Sequence, residues 1–392
     1  MSDLAVLGGA PAFPDGIPLV RPPLPALERV VARFEASYER GRLTNGPLVD
    51  ELEAGAAAKL GVRHVVAVSS CTAGLMLALR ALDPGGPVVL PSFTFSASGH
   101  VVRWNGLRPV FAECDPASLQ VDVDDARARV AREDGLGAVL ATHVFGAPCA
   151  VDDVVALGAE RGVPVVFDAA HAFGAFHGDV PIGGFGDAEV FSMSPSKVMI
   201  AAEGGLVATN RDDVADSIRI GRDYGNPGDY DTRFVGLNAR LSELHAAVAL
   251  ESLSELDEHL ETRTKLARRY DDALADIPGV APQTVADGDR STYKDFTIVV
   301  DPDVFGVTRD QLVTVLRAEG DDTRNYFDPP VHRQTAYADL EPVSLPVTDR
   351  VASRVDSIPL YRSLPESVVD RIGVLFAAVH AHHAAVAAAL PA

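Results

Sequence analysis

Between about residues 50 and 210, short and nearly unbroken apolar runs rich in β-branched residues alternate with longer amphipathic stretches. The runs VVAVSS (65–70), VVLPS (88–92), PVFAEC (109–114), AVLATHVFG (138–146), PVVFDAA (164–170), AEVFSMS (188–194) and GLVATN (205–210) have the length and composition of strands. Helix-length segments such as 72–82 and 151–161 separate the first five. Strands apolar on both sides and joined through helices predict a mostly parallel sheet covered on both faces. In such a sheet ligands sit at the carboxyl ends of the strands. Farther on, leucine and alanine recur every three or four residues from 241 to 275, which predicts one long helix linking two domains. After it come one strand-like run, DFTIVV (295–300), a helical run at 308–320, the Pro-rich loop YFDPPVHRQTAY and a terminal helix. These predict a smaller α+β domain, with boundaries at 1–252 and 253–392. The entry LVRPPLP (19–25) predicts an extended arm before a helix starting near Ala26.

Composition narrows the partners. The chain has 392 residues, 47% of them hydrophobic, enough for about two domains. Its formal net charge of −21 argues against nucleic acid or an anionic membrane surface, so any anionic ligand must be held locally by helix N-termini, backbone amides or single arginines. Cys71, Cys114 and Cys149 are odd in number and lack metal-like spacing, and they read as reduced cytosolic thiols. No run of about 18 apolar residues and no leader-like N-terminus is present, so a cytoplasmic protein is expected. The His-bearing C-terminal run FAAVHAHHAAVAAALPA reads as a packed helix rather than a metal site, for want of carboxylate or cysteine ligands.

Lysine is scarce here: only Lys59, Lys197, Lys265 and Lys294 occur, while arginine is plentiful. Lys197 nevertheless stands in VFSMSPSKVMIAAEGGLVATN, between two apolar runs. A half-buried lysine sheds its proton more readily than arginine and can act as nucleophile and proton carrier; the alternative is a loop cation that snorkels to solvent. Asp168, just past the run PVVF, tips the balance. A carboxylate for a pyridine nitrogen and a lysine for an aldehyde are the two groups that pyridoxal phosphate (PLP) requires. In SSCTAGL, Thr72 and Ala73 open a helix after a strand and offer amides and a hydroxyl to a phosphate, or simply an N-cap. Ser192 offers a second hydroxyl. Phe93 and Phe95 fall on opposite faces of an extended segment, and Phe95 is the candidate to stack on the cofactor ring.

With these residues assembled, the chain resembles the DegT/DnrJ/EryC1/StrS sugar aminotransferases. The resemblance runs from LAVLGGAPAF through RLTNGPLVDELE, SSCTAGL, PSFTFSAS, DAAHAFGA, GGFGDAEVFSMSPSK, AAEGGLVATN, GLNARLSELHAAV and DPPVHRQTAY to IPLYRSLP. It implies PLP fold type I: a large mixed, mostly parallel α/β/α domain of the seven-stranded type and a smaller C-terminal α+β domain. It implies Lys197 as the cofactor-bearing lysine, Asp168 at the pyridine nitrogen, Thr72, Ala73 and Ser192 at the phosphate, Phe95 on the ring and His171 beside the phenolic oxygen. It implies that Asn238 reaches the cofactor phosphate of a neighbouring subunit, hence a homodimer. Arg240, Tyr326, His332 and Tyr337 become candidate substrate contacts, each equally open to a structural role.

His171 stands where many relatives carry glutamine, and Cys71 where glycine is frequent; a lysine at 197 excludes the branch whose histidine there makes it a sugar dehydrase. The reaction implied is transamination of a nucleotide-linked keto-6-deoxyhexose, dTDP-4-keto-6-deoxy-D-glucose at C4 being the choice, with L-glutamate as donor and pyridoxamine phosphate as the aminated cofactor. A 3-keto sugar or scyllo-inosose as acceptor, another PLP reaction such as β-elimination, and a non-enzymatic PLP-binding regulator or inactive partner subunit are the alternatives. Richness in arginine and alanine at the expense of lysine fits an amino sugar made for a secondary metabolite such as an antibiotic.

Overall fold

The computed structural model describes residues 4–391. Its strands are β1 (His64–Val68), β2 (Val88–Pro91), β3 (Pro109–Ala112), β4 (Ala138–Thr142), β5 (Val165–Asp168), a small hairpin of β6 (Phe176–His177) and β7 (Val180–Pro181), β8 (Ala188–Ser192), β9 (Gly205–Thr209), β10 (Val280–Pro282), β11 (Phe296–Val300) and β12 (Val355–Ile358). Seven of them form the predicted mixed sheet in the order β1-β9-β8-β5-β4-β2-β3, with β9 alone antiparallel to both neighbours.

Because side chains alternate across a strand, each strand feeds two cores. Val65, Ala67, Val89, Val139, Val165 and Phe167 pack on one side with Leu52 and Leu157. Val66, Val68, Val88, Leu90, Leu140 and Val166 pack on the other with Leu75, Leu79, Val101 and Ile218. Both faces are therefore buried, which accounts for apolar runs without a polar alternation. The Cys71–Leu82 helix lies against β8 and β9, and Gly74 permits this: a Cβ there would sit 2.7 Å from Val190.

A second sheet, β10-β11-β12, is antiparallel throughout. Its core holds Tyr270, Phe296, Ile298, Leu312 and Phe376, and Leu4 and Phe13 of the N-terminal arm join it. The arm is tied there by Glu319, whose carboxylate accepts from the amides of Ala5 (2.7 Å) and Ala12 (2.8 Å). An aromatic cluster of Phe93, Phe145 and Phe327 lies between the two sheets.

Three expectations need correction. The long helix at 241–275 is two helices, Glu243–Ser254 and Leu256–Leu274, broken at Glu255. There the Ser252 hydroxyl accepts from the Ile200 amide at 3.0 Å and Ser254 bonds back to the Glu251 carbonyl at 2.7 Å. The run 138–146 ends as a strand at Thr142, because Phe145 and Gly146 adopt positive φ of 59° and 97°. The terminal helix is also double, Glu366–Ala381 and His383–Ala389, bent by 81°. No single helix among the described residues is long and apolar enough to cross a membrane.

Candidate active site

Asp168 and Ser192 end β5 and β8, which pair side by side, while β1 runs on through Ser69 and Ser70 into the Cys71–Leu82 helix. Topology thus brings distant parts of the sequence to one edge of the large sheet. The approach of β9 to the helix start is close: a Cβ on Gly205 would lie 2.6 Å from the Cys71 nitrogen. Only glycine fits there.

Asp168 is buried, at 3% exposure. Its Oδ2 accepts from Ser98 Oγ at 2.6 Å and its Oδ1 from the Ala170 amide at 3.1 Å. Ser98 Oγ also lies 3.0 Å from Thr94 Oγ1, which lies 3.1 Å from Thr142 Oγ1. Since Ser98 gives its one proton to the carboxylate, Thr94 must donate to Ser98 and Thr142 to Thr94, a chain of hydroxyls directed at Asp168. No ion pair reaches Asp168 among the described residues, and burial raises its pKa, opposed by Ser98, Ala170, Lys197 and His143. A protonated ring nitrogen seated against it would supply the missing partner.

Lys197 follows β8 in a turn where its amide donates to the Ser194 carbonyl at 3.0 Å. The loop is pinned by the Ala201 amide to Met193 (2.7 Å) and by Ile200 to Ser252. The side chain is only partly accessible. Burial and the neighbouring Lys294 push its amine down to about 8, against opposing effects of Asp295, Cys71 and Asp168.

At the helix start, Ser70 is the N-cap, its Oγ accepting from the Ala73 amide at 3.1 Å. The helix begins one residue before the expected Thr72, and Ala73's amide is shared with the cap rather than free. First-turn amides without intrahelical partners and the helix dipole still favour an anion here. Cys71 Sγ lies 3.6 Å from the Val190 carbonyl and 4.0 Å from Asp168 Oδ1, and burial holds it as a thiol. Ser192 is half-buried at the end of β8. Phe93 is fully buried, whereas Phe95 is 59% exposed at the N-cap of the Ser96–Trp104 helix, so the two rings part as the extended segment requires.

His171 has a defined tautomer. Its Nδ1 accepts from the Phe145 amide at 3.1 Å, and its ring stacks on Phe145. Burial together with Lys197 and Lys294 pushes it well below the usual histidine range, so it is neutral with its proton on Nε2.

The four expected substrate contacts divide. Tyr326 packs against Phe145 beside His171. Arg240 is paired with Asp223 and lies 5.3 Å over the Tyr224 ring. His332 is held between Ser92 Oγ (2.7 Å) and Asp349 (3.3 Å). Tyr337 is buried, edge-on to Phe111. Asn238 is exposed, next to Ala239, whose carbonyl accepts from the Ser69 amide at 2.9 Å just past the end of β1. Two groups of the site have almost no signature in the sequence: Ser98, a hydroxyl in a serine- and threonine-rich run, and Lys294, whose only signal is the scarcity of lysine.

The residues present fit pyridoxal phosphate: a buried carboxylate lacking a cation, a lysine lowered toward neutrality, a helix N-terminus with a glycine cradle, and an exposed aromatic. A large mostly parallel sheet carrying this set at its strand ends, with a small antiparallel sheet beside it, defines a PLP-dependent enzyme of fold type I. Similarity to known proteins gives the family. The DegT/DnrJ/EryC1/StrS aminotransferase family profile matches residues 27–376. SpsC, a spore coat polysaccharide biosynthesis protein of Bacillus subtilis (strain 168), is 32% identical over 356 residues, covering 86% of this chain and 90% of that protein. DesI, solved in the presence of its TDP-sugar product, is 35% identical with a TM-score of 0.89 over 97% of this chain and 96% of that one. DesV of S. venezuelae is 30% identical with a TM-score of 0.82 over 94% and 99%. The chain belongs to the DegT/DnrJ/EryC1/StrS aminotransferase family and is a PLP-dependent sugar aminotransferase.

Proposed function

We propose that the protein transfers the amino group of L-glutamate to C4 of a nucleotide-linked 4-keto-6-deoxyhexose, dTDP-4-keto-6-deoxy-D-glucose, to make an amino sugar for a secondary metabolite. The observation that carries the chemistry is Lys197, lowered toward neutrality, at the same sheet edge as the buried, cation-seeking Asp168. The likeness to DesI, which was solved with a TDP-sugar, supports the substrate class.

In this reading the bound cofactor supplies an electron sink for the carbanion formed at the donor's α-carbon. Lys197 Nζ takes the proton from that carbon and later returns one, acting as base and acid in turn. Asp168, steered by Ser98 and the hydroxyls behind it, holds the proton on the ring nitrogen. Thr72, Ala73 and Ser192 bind the phosphate, with Ser70 yielding the Ala73 amide. Phe95 covers one face of the ring, and His171 donates from Nε2 to the phenolic oxygen. Tyr326 is the contact for the sugar with the best support, since it lies beside Phe145 and His171.

The unit that works is a homodimer. Apolar side chains cluster in exposure at Tyr224, Tyr230 (94%) and Val235 (90%), close in sequence to the exposed Asn238; a second copy covering them would bring Asn238 to the neighbour's phosphate. Residues 1–252 and 253–392 are taken as the two domains, the arm packing on the second. Three free cysteines fit the reducing cytoplasm.

The regiochemistry is tested by giving enzyme loaded with pyridoxamine phosphate the 4-keto nucleotide sugar, its 3-keto isomer and scyllo-inosose separately. Rapid return of the visible cofactor colour with the 4-keto sugar, and an amine at C4 by NMR of the product, are expected. Faster return with either of the others would replace the proposed acceptor.

A further inference from the structure

His332, a candidate sugar contact by its motif, is bound instead to the residue that opens the cofactor-covering segment. Ser92 follows β2 and is fully buried. Its amide donates to Ala112 O at 3.0 Å, which fixes it to β3, and its other groups all meet one short stretch of the C-terminal part. The Ser92 carbonyl accepts from the Val331 amide at 3.0 Å, and its Oγ accepts from the His332 amide at 3.0 Å. The same Oγ lies 2.7 Å from His332 Nδ1.

These contacts fix a direction. A buried hydroxyl must place its proton, and Nδ1 is the one further partner of Ser92 Oγ among the described residues, so Ser92 donates and His332 accepts. The ring proton is then on Nε2, which faces Asp349 Oδ1 at 3.3 Å. Asp349 lies in the Pro346–Ala352 helix and is shared with Arg333, which donates to it at 3.1 and 2.6 Å. Burial lowers His332 from the usual histidine range, in keeping with an Nδ1 free to accept. The imidazole thus spans from the large sheet to that helix. Its side chain is 2% exposed and both nitrogens are engaged, which leaves nothing to offer a sugar.

Ser92 leads directly into the residues that serve the cofactor. Phe93 is packed between Phe145 and Phe327. Thr94 and Ser98 belong to the hydroxyl chain that ends on Asp168. Phe95 is 59% exposed, and a ring so placed gains little position from its own packing. Its place is set by the backbone on either side. The far end of the segment meets the same loop: a Cβ on Gly99 would lie 2.4 Å from Tyr337 Oη and 3.0 Å from Val331 Cγ1. Residues 331–337 therefore grip 92–99 at both ends.

We propose that His332 is a positioning residue for the cofactor: by accepting the Ser92 proton it holds the segment that sets Phe95 over the ring and Ser98 against Asp168. The inference rests on Phe95 and Asp168 being cofactor contacts.

Its test compares His332→Asn with His332→Gln in full-length holoenzyme. The asparagine oxygen stands near the place of Nδ1 and can take the Ser92 proton, whereas glutamine reaches toward Asp349 and leaves that proton unpaired. In His332→Gln the cofactor should bind about two- to tenfold more weakly by equilibrium titration, the net effect of one hydrogen bond. Its visible circular dichroism should change, and the half-reactions with glutamate and with the keto sugar should slow alike. His332→Asn should return all three toward the wild type. Ser92→Ala should copy His332→Gln, and combining the two should add little. Thermal melting checks that each variant is folded.

Slowing of the keto-sugar half-reaction alone, with cofactor affinity and dichroism unchanged, would overturn the inference and return His332 to the sugar. Recovery in His332→Gln rather than His332→Asn would overturn it in favour of the contact with Asp349. Variants that melt earlier yet keep cofactor affinity and dichroism reduce the bond to a fastener, and failure of every variant to fold counts the same way. A wild type without cofactor colour, or colour that survives in Lys197→Ala, would instead defeat the reading of the site itself.

Discussion

Lys197 and Asp168 carry their chemistry in their residue types, which is why a lysine in a lysine-poor chain and an aspartate at a strand end point to PLP from sequence alone. Ser98 carries nothing of the kind, since a serine near a helix start is ordinarily a cap, and only the fold turns its hydroxyl toward Asp168 at 2.6 Å. His332 and Tyr337 sit in a motif segment that does meet the large sheet, yet their side chains are engaged by Asp349, Ser92 and Phe111. Motif position does not say where a side chain points. Two outcomes follow at this scale. Lys197→Ala should still bind the cofactor, non-covalently and dialysably, and show no turnover of glutamate by 2-oxoglutarate assay. Ser98→Ala removes a bond to a carboxylate of the kind that contributes about 1.5–3 kcal/mol. Cofactor affinity by equilibrium titration should weaken about tenfold or more, and because the bond is already made without cofactor, the cofactor-free chain should melt at a lower temperature as well.

Elements of the large sheet are legible because both faces are buried, so each strand is an unbroken apolar run between turn signals. The small sheet is not. Only β11 reads as a strand, while β10 is three residues ending in proline and β12, Val355–Ile358, contains the buried Asp356 and Ser357. Nor does periodicity register the break at Glu255, which depends on a bond from Ser252 to the loop after Lys197. Asp356 gives the small sheet a pH dependence. Burial pushes it up to about 7 from an ordinary 3.8. The folded state therefore holds a proton that the unfolded state releases near pH 4, so stability is fullest below that, falls as pH rises and stays low above about 7. Asp356→Asn should raise the melting temperature at pH 8, by a free energy of up to about 4 kcal/mol for three units, and leave it nearly unchanged at pH 4. Gly205→Ala, at the strand that touches the helix start, should cost about 1–3 kcal/mol by overpacking and lower cofactor affinity through displacement of the Cys71 amide.

At the scale of the whole molecule, the order of motifs along nearly the full chain foretells two sheets side by side and a site at one strand edge, and residues 27–376 match the family accordingly. What one chain does not disclose is how copies meet. Exposed Tyr230, Val235 and Asn238 predict that neither Lys197→Ala nor Asn238→Ala dimers work well alone. Refolded together, they should regain activity, because a mixed dimer has one site with both residues intact; sedimentation should give a particle of two chains. The most direct test of transaminase chemistry at Lys197 is to add L-glutamate to the purified, cofactor-loaded enzyme and follow its absorption spectrum. Loss of the visible band, rise of the pyridoxamine phosphate band and release of one 2-oxoglutarate per site are predicted. A visible band that glutamate leaves unchanged, in protein whose Lys197 holds the cofactor, would contradict it.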